Sequence, residues 1–236
     1  MADPGTGPRP PKRLRFRWWW LGLAAALLLV VAVFAFATLQ PIQVLPRIRL
    51  APGFSLIDQN GEQLTNEDLR GSFVLYNFTY TDCEPPCHNL DATMREVQDR
   101  LVELDLGDVP VQLVTISFDP ENDTPEVLRA HARSAGADPA TWRFATGDPT
   151  RLKSIIGSGF EVYYEPDEAG GFRFDPAFVL VDGWGIIRGE YHYQSLAGNA
   201  DRFLRHLSVL AEELAKSKGA AKVAYEAAHL FLCYAD

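Results

Sequence analysis

The stretch FVLYNFTYTDCEPPC, residues 73 to 87, decides how the rest of the chain is read. Phe73 to Phe78 is an apolar, aromatic run suited to a buried strand. Two cysteines follow, flanking Glu84, Pro85 and Pro86, and then Leu90, Met94, Val97, Leu101 and Leu104 recur at helical spacing. Cys83 and Cys87 therefore fall at a strand-to-helix junction, where exposed backbone N–H groups and the positive end of a helix lower the pKa of a thiol. Thiolates attack disulfides and bind soft ions such as Cu(I) or Zn, so the pair predicts a redox or metal-binding centre. The alternative is a structural disulfide of an exported domain, although closing so short a loop stabilises little.

On the C-terminal side, Val111 to Phe118 reads as a second buried strand, completing a strand–helix–strand unit. Asp123, with Pro125 and Glu126 after it, predicts the cap of a helix running to about Ala135. A short helix around Leu152 to Ile156 leads to a strand pair, Ala177 to Val181 and Ile186 to Tyr191, joined by Asp182-Gly183-Trp184-Gly185. Residues 200 to 216 predict a closing helix. On the N-terminal side, FSLIDQNGEQL from Phe54 carries an Asn60-Gly61 hairpin signal. Alternation of this kind implies an α/β fold, a thioredoxin-like central sheet flanked by helices, with an antiparallel edge.

The net charge of -9 is uneven, because Arg9, Lys12, Arg13, Arg15 and Arg17 face only Asp3 in the first 17 residues. Trp18 to Leu39 is uninterruptedly apolar and long enough to cross a bilayer as one helix. The expected organisation is a disordered basic cytoplasmic tail (1–17), a transmembrane anchor (18–39), a linker (40–52), the thioredoxin-like domain (53–216) and a helical tail (217–236). Basic residues ahead of the anchor keep the N-terminus cytoplasmic. This predicts a single-pass protein of the cell inner membrane with its domain in the periplasm, where disulfides persist. A cleaved signal peptide ending near Ala35-Phe36-Ala37 exports the same domain.

The acidic domain lacks the clustered Lys and Arg of a nucleic-acid surface, so no nucleic-acid partner is expected. No phosphate loop, nucleophile-elbow serine motif or H-E-x-x-H zinc motif occurs. Methionine is confined to Met1 and Met94, which excludes a Met-rich copper tract.

Three segments together, Phe54-Ser-Leu-Ile-Asp-Gln-Asn-Gly61, the C-x3-C at 83 and 87, and Ser117-Phe-Asp-Pro-Glu-Asn-Asp-Thr-Pro-Glu-Val-Leu128, resemble the Sco/SenC family over roughly residues 50 to 210. That resemblance implies a membrane-anchored, thioredoxin-like copper protein that helps assemble the binuclear copper centre of cytochrome c oxidase, with two Cys and one distal His as ligands. Cys83 and Cys87 take the first two places. Counting back from Asp182 puts the third at Phe174, which has no donor atom for copper. Asp82 stands where a His precedes the first Cys, and His88 where a Pro follows the second.

Pro176 takes the place of the proline that faces the dithiol in thioredoxins, which implies thiol–disulfide exchange. A strand-edge proline is its plain alternative. His192, on the late hairpin, is the candidate replacement for the third copper ligand. His88 could ligate or tune a thiolate, or be merely exposed. No role is assigned to His131, His206 or His229. Asp119, Asp123 and Glu126 are explained by turn formation and helix capping, and Cys233 by packing in the tail or an intermolecular disulfide.

The expected function is maturation of a respiratory oxidase copper centre through the Cys83/Cys87 dithiol, by copper binding, thiol–disulfide exchange or both. The expected partners are an oxidase or other membrane-complex subunit and exported thiol proteins. A copper-independent exported oxidoreductase and a non-catalytic subunit of a respiratory membrane complex are the alternatives.

Overall fold

The structure, a computed structural model, describes residues 13–39, 43–83, 87–168, 170–192 and 199–216. In chain order these form α1 (Arg13–Leu39), β1 (Arg49–Leu50), β2 (Ser55–Asp58), β3 (Gln63–Thr65), β4 (Phe73–Thr79), α2 (Cys87–Arg100) and β5 (Val111–Ser117). There follow α3 (Pro125–Ala135), β6 (Trp142–Thr146), α4 (Pro149–Leu152), β7 (Tyr164–Pro166), β8 (Phe172–Phe174), β9 (Ala177–Val181), β10 (Ile186–His192) and α5 (Ala200–Lys216). The chain divides into two units, Met1–Ile42 and Gln43–Asp236.

In the first unit α1 takes in the apolar stretch and begins at Arg13, inside the basic segment. Its side chains are described only over 18–31 and at Phe34, and among the described residues no helix is long and apolar enough to cross a membrane.

The second unit is built on β4, all seven of whose residues are buried. It is central in an eight-stranded sheet of order β1-β10-β9-β4-β5-β6-β2-β3. β4, β5 and β6 run parallel, whereas β9 lies antiparallel to β4, and β2 to β6. Side chains along β4 alternate between two cores, as strand geometry requires. Phe73 and Leu75 join Leu90, Met94 and Val97 of α2, Leu128 of α3 and Phe203 and Leu207 of α5. Val74, Tyr76 and Phe78 join Ile155, Ile156 and Phe160, on and beside the π-helical stretch Lys153–Gly159 that follows α4. Helices thus cover both faces, as expected for this α/β class.

Three expectations need correction. The linker does not remain a tether to residue 52: Val44 and Leu45 are buried and β1 pairs with β10. Buried Arg188 fixes this segment, donating to the carbonyls of Leu45 at 2.7 Å and Pro46 at 3.0 Å. Asp123 does not cap α3; Thr124 does, its Oγ1 accepting from the Val127 N–H at 3.5 Å. Strand β6 and the β7–β8 hairpin were not expected from periodicity. The predicted tail, 217–236, with His229 and Cys233, lies outside the described residues.

Candidate functional site

The carboxyl ends of β4 and β5, the entry to β9 and the exit from β10 all lie at one end of the sheet, because β9 runs antiparallel to β4 and β10 to β9. In open α/β sheets this is where ligands and reacting groups gather. Here the chain leaves β4 through Tyr80, Thr81 and Asp82 to Cys83, which is buried and disulfide-bonded. The other cysteines of the chain, Cys87 and Cys233, have side chains outside the described residues, as has His88. The backbone of α2 nevertheless begins at Cys87, so position 87 stands at a helix N-terminus as the sequence implied.

The loop carrying Cys83 is held by Asp123, which is fully buried. Its Oδ2 accepts from the Thr81 N–H at 3.0 Å and from the Ser117 hydroxyl, and its Oδ1 accepts from the Thr81 hydroxyl. Ser117 Oγ itself accepts from the Asp119 N–H at 3.1 Å. The carboxylate is surrounded by donors, which is how a buried one is accommodated. Between the helices, His131 Nε2 of α3 meets Asp91 Oδ2 of α2 at 2.7 Å. Position 91 is one helical turn beyond 87, on the same face. The Asp91 hydrogen bond holds the His131 pKa above its ordinary value against the opposing effect of burial, with the charges of Asp91 and Asp123 adding to it. Neither contact is legible from the sequence, since Asp123 also suits a helix cap and the partners lie 42 and 40 residues apart along the chain.

Phe174 lies in β8, half-buried against Phe118 with centroids 5.1 Å apart and near Tyr80 at 6.2 Å. Phe118 also stacks on Tyr164 at 4.7 Å, and Tyr80 meets Phe172 at 5.1 Å. This aromatic cluster seats the β7–β8 hairpin on the ends of β4 and β5, beside a cavity of about 610 Å³. Pro176 is buried between β8 and β9. His192 ends β10 opposite Ala177, and its Nδ1 lies 2.7 Å from Asp175 Oδ2, both side chains being partly exposed. Cys83, Phe174, Pro176 and His192 are thus gathered at one end of the sheet, although among the described residues no group of three His, Cys, Asp or Glu is arranged to hold a metal ion. His206 is elsewhere, buried under Tyr191, and Glu126 is in the first turn of α3.

A family model described as SCO1/SenC matches residues 44–210. A curated relative, the SCO1 protein homolog of Bacillus subtilis, is 32% identical over 141 residues, 59% of this chain and 72% of its own. Among solved structures, BsSco, described as a member of the Sco family of cytochrome c oxidase assembly proteins with a disulfide switch, superposes with a TM-score of 0.61 at 22% identity, covering 72% of this chain and 98% of its own. Yeast Sco1 with copper bound gives 0.57 at 22%, covering 75% and 98%. At those identities the two structures establish the fold.

Proposed function

Since the chain belongs to the SCO1/SenC family, we propose that it assists maturation of the copper centre of a respiratory oxidase, with Cys83 and Cys87 as its working dithiol. The observation that carries this reading is the disulfide-bonded Cys83 on a loop held by Asp123, which also accepts from Ser117 of β5, at the carboxyl end of the sheet. Exchange with a reduced dithiol breaks the S–S bond and supplies the two electrons and two protons, the donor becoming a disulfide and this chain keeping two thiols that can reduce a client disulfide or bind a soft ion. Copper, as cargo, suits two thiolates and an imidazole. Here Cys83, Cys87 and His192 are the residues to hold it, because Phe174 offers no donor. The Nδ1 contact of His192 with Asp175 is the kind of carboxylate support that orients a metal-binding imidazole.

Pro176, buried at the entry to β9, shapes the surface that a client thiol approaches. The Trp18–Leu39 stretch within α1 anchors the chain in the inner membrane with the basic N-terminus in the cytoplasm and the domain outside it. The clients are exported thiol-bearing subunits of an oxidase or related membrane complex.

Phe174 in the family's ligand place favours one second reading, a thiol–disulfide oxidoreductase that works without copper. Titration of the reduced full chain in detergent with Cu(I) and Cu(II), beside Cys83→Ser, Cys87→Ser and His192→Ala, separates the two. Copper delivery requires binding that each Cys variant abolishes and His192→Ala weakens. Absence of specific binding in the wild type, with disulfide exchange intact, would establish the second reading instead.

A further inference from the structure

We infer that Asp123 is a positioning residue for the Cys83 disulfide, acting through Thr81 to hold the loop in its oxidised conformation. The inference rests on Cys83 being the working thiol. Only Asp82 separates Thr81 from Cys83, so fixing Thr81 at both its backbone and its hydroxyl leaves one residue of slack before the sulfur. The carboxylate doing this is fully buried, and both of its oxygens are occupied by donors from two elements. A fully buried carboxylate is costly unless it is well partnered. A Ser or Thr at 123 is too short to reach Thr81 N, Thr81 Oγ1 and Ser117 Oγ together.

These bonds are present in a structure whose Cys83 is oxidised. Because the same bonds order Thr81, two residues before the sulfur, closing the S–S bond costs less conformational entropy than it would from an unheld Thr81. The tether therefore favours the disulfide over the dithiol and lowers the midpoint potential. A residue that only stabilised the fold would act alike on both oxidation states and leave the midpoint where it was.

The test is a redox-buffer titration of Cys83 in the full chain in detergent, for wild type, Asp123→Asn, Thr81→Val and Thr81→Ser. Asp123→Asn keeps the size but only one acceptor oxygen; Thr81→Val deletes the hydroxyl; Thr81→Ser restores it. Loss of one such hydrogen bond is expected to shift the disulfide/dithiol equilibrium by a factor of about three to ten. For a two-electron couple that is a midpoint raised by about 15 to 30 mV. Thr81→Ser should return to the wild-type value. Should Asp123→Asn not fold, the Thr81 pair decides the question, and a Thr81→Val midpoint equal to wild type overturns the inference. A wild-type chain with no reversible Cys83 midpoint would instead overturn the reading of Cys83 as the working thiol, a different and distinguishable failure.

Discussion

Replacing Arg188 by Ala is expected to be among the most damaging single changes to the domain. Arg188 lies in β10 with almost no exposed side-chain surface, 3.0 Å from Asp182 Oδ2 and 2.6 Å from Glu213 Oε2. It also donates to the Leu45 and Pro46 carbonyls, so one guanidinium joins the entry segment, the β9–β10 turn and α5. Removing it takes the buried guanidinium away from two buried carboxylates, of which Glu213 still has Arg47 3.7 Å from its Oε1, and the cost is about 3 to 5 kcal/mol. Urea unfolding of the full chain in detergent, followed by the fluorescence of buried Trp142, measures this directly. With a urea slope of about 2 kcal/mol/M for a domain of this size, the midpoint falls by roughly 2 M. The companion variant Asp182→Asn/Arg188→Met/Glu213→Leu removes the charges together, while the side-chain amide oxygen left at position 182 can still accept from the turn N–H groups of Trp184 and Ile186 that Asp182 serves. It should recover most of the loss, since buried ion networks are often replaceable by apolar packing. A single variant losing less than about 1 kcal/mol, or a triple variant no better than the single, would refute the assignment of cost to uncompensated buried charge.

Other outcomes follow from named groups. Burial pushes the pKa of His206 down to about 4, with the charges of Arg202 and Arg205 adding. Its folded value lies below the ordinary 6.5, so its contribution is intact above pH 6.5 and is lost as pH falls toward 4, by about 3 kcal/mol in all; His206→Gln should flatten the stability profile over that window. His131 has the opposite sign: its raised pKa makes the Asp91 contact fully effective below 6.5 and weaker as pH rises through the folded value. A pH series of unfolding midpoints for Asp91→Asn should lack that alkaline decline. Phe174→His supplies an imidazole donor at the family's ligand place and should tighten Cu(II) binding by the reduced chain in the same titration that tests copper delivery. Gly136 caps α3 at φ +75, and a Cβ there would lie 2.6 Å from Arg95 Nη1, so Gly136→Ala should cost about 1 kcal/mol in unfolding free energy.

Strands and helices with strong periodicity were legible in the sequence: β4, β5, β9, β10, α3 and α5 stand within a residue or so of their expected spans. The β2–β3 hairpin follows from Asn60-Gly61, with Gly61 at φ +81. Strand β6 was missed because WRFAT is short and broken by an inward-alternating Arg143, and its strand character comes from pairing with β5 and β2 rather than from its own pattern. The β7–β8 hairpin was missed for a related reason, since Phe172 and Phe174 are held by Tyr80 and Phe118, far away in the chain. That Cys83, Phe174, Pro176 and His192 lie at the carboxyl end of the sheet is legible from motif and turn spacing, which fix their places along the strands. The contacts of Asp123 and Asp91 are not, because a carboxylate's partners depend on which elements become neighbours.

The two ends of the sheet are β1, two residues long, and β3, three residues long. Strands this short present few free backbone donors and acceptors, and Arg49 on β1 is engaged by Glu161 and Glu190. An open sheet invites another chain to add itself along the border, the step that begins domain swapping and fibre growth. Here the borders are too brief to template such growth. The domain therefore offers a neighbouring copy little backbone border to pair with, and its sheet resists self-association by strand addition.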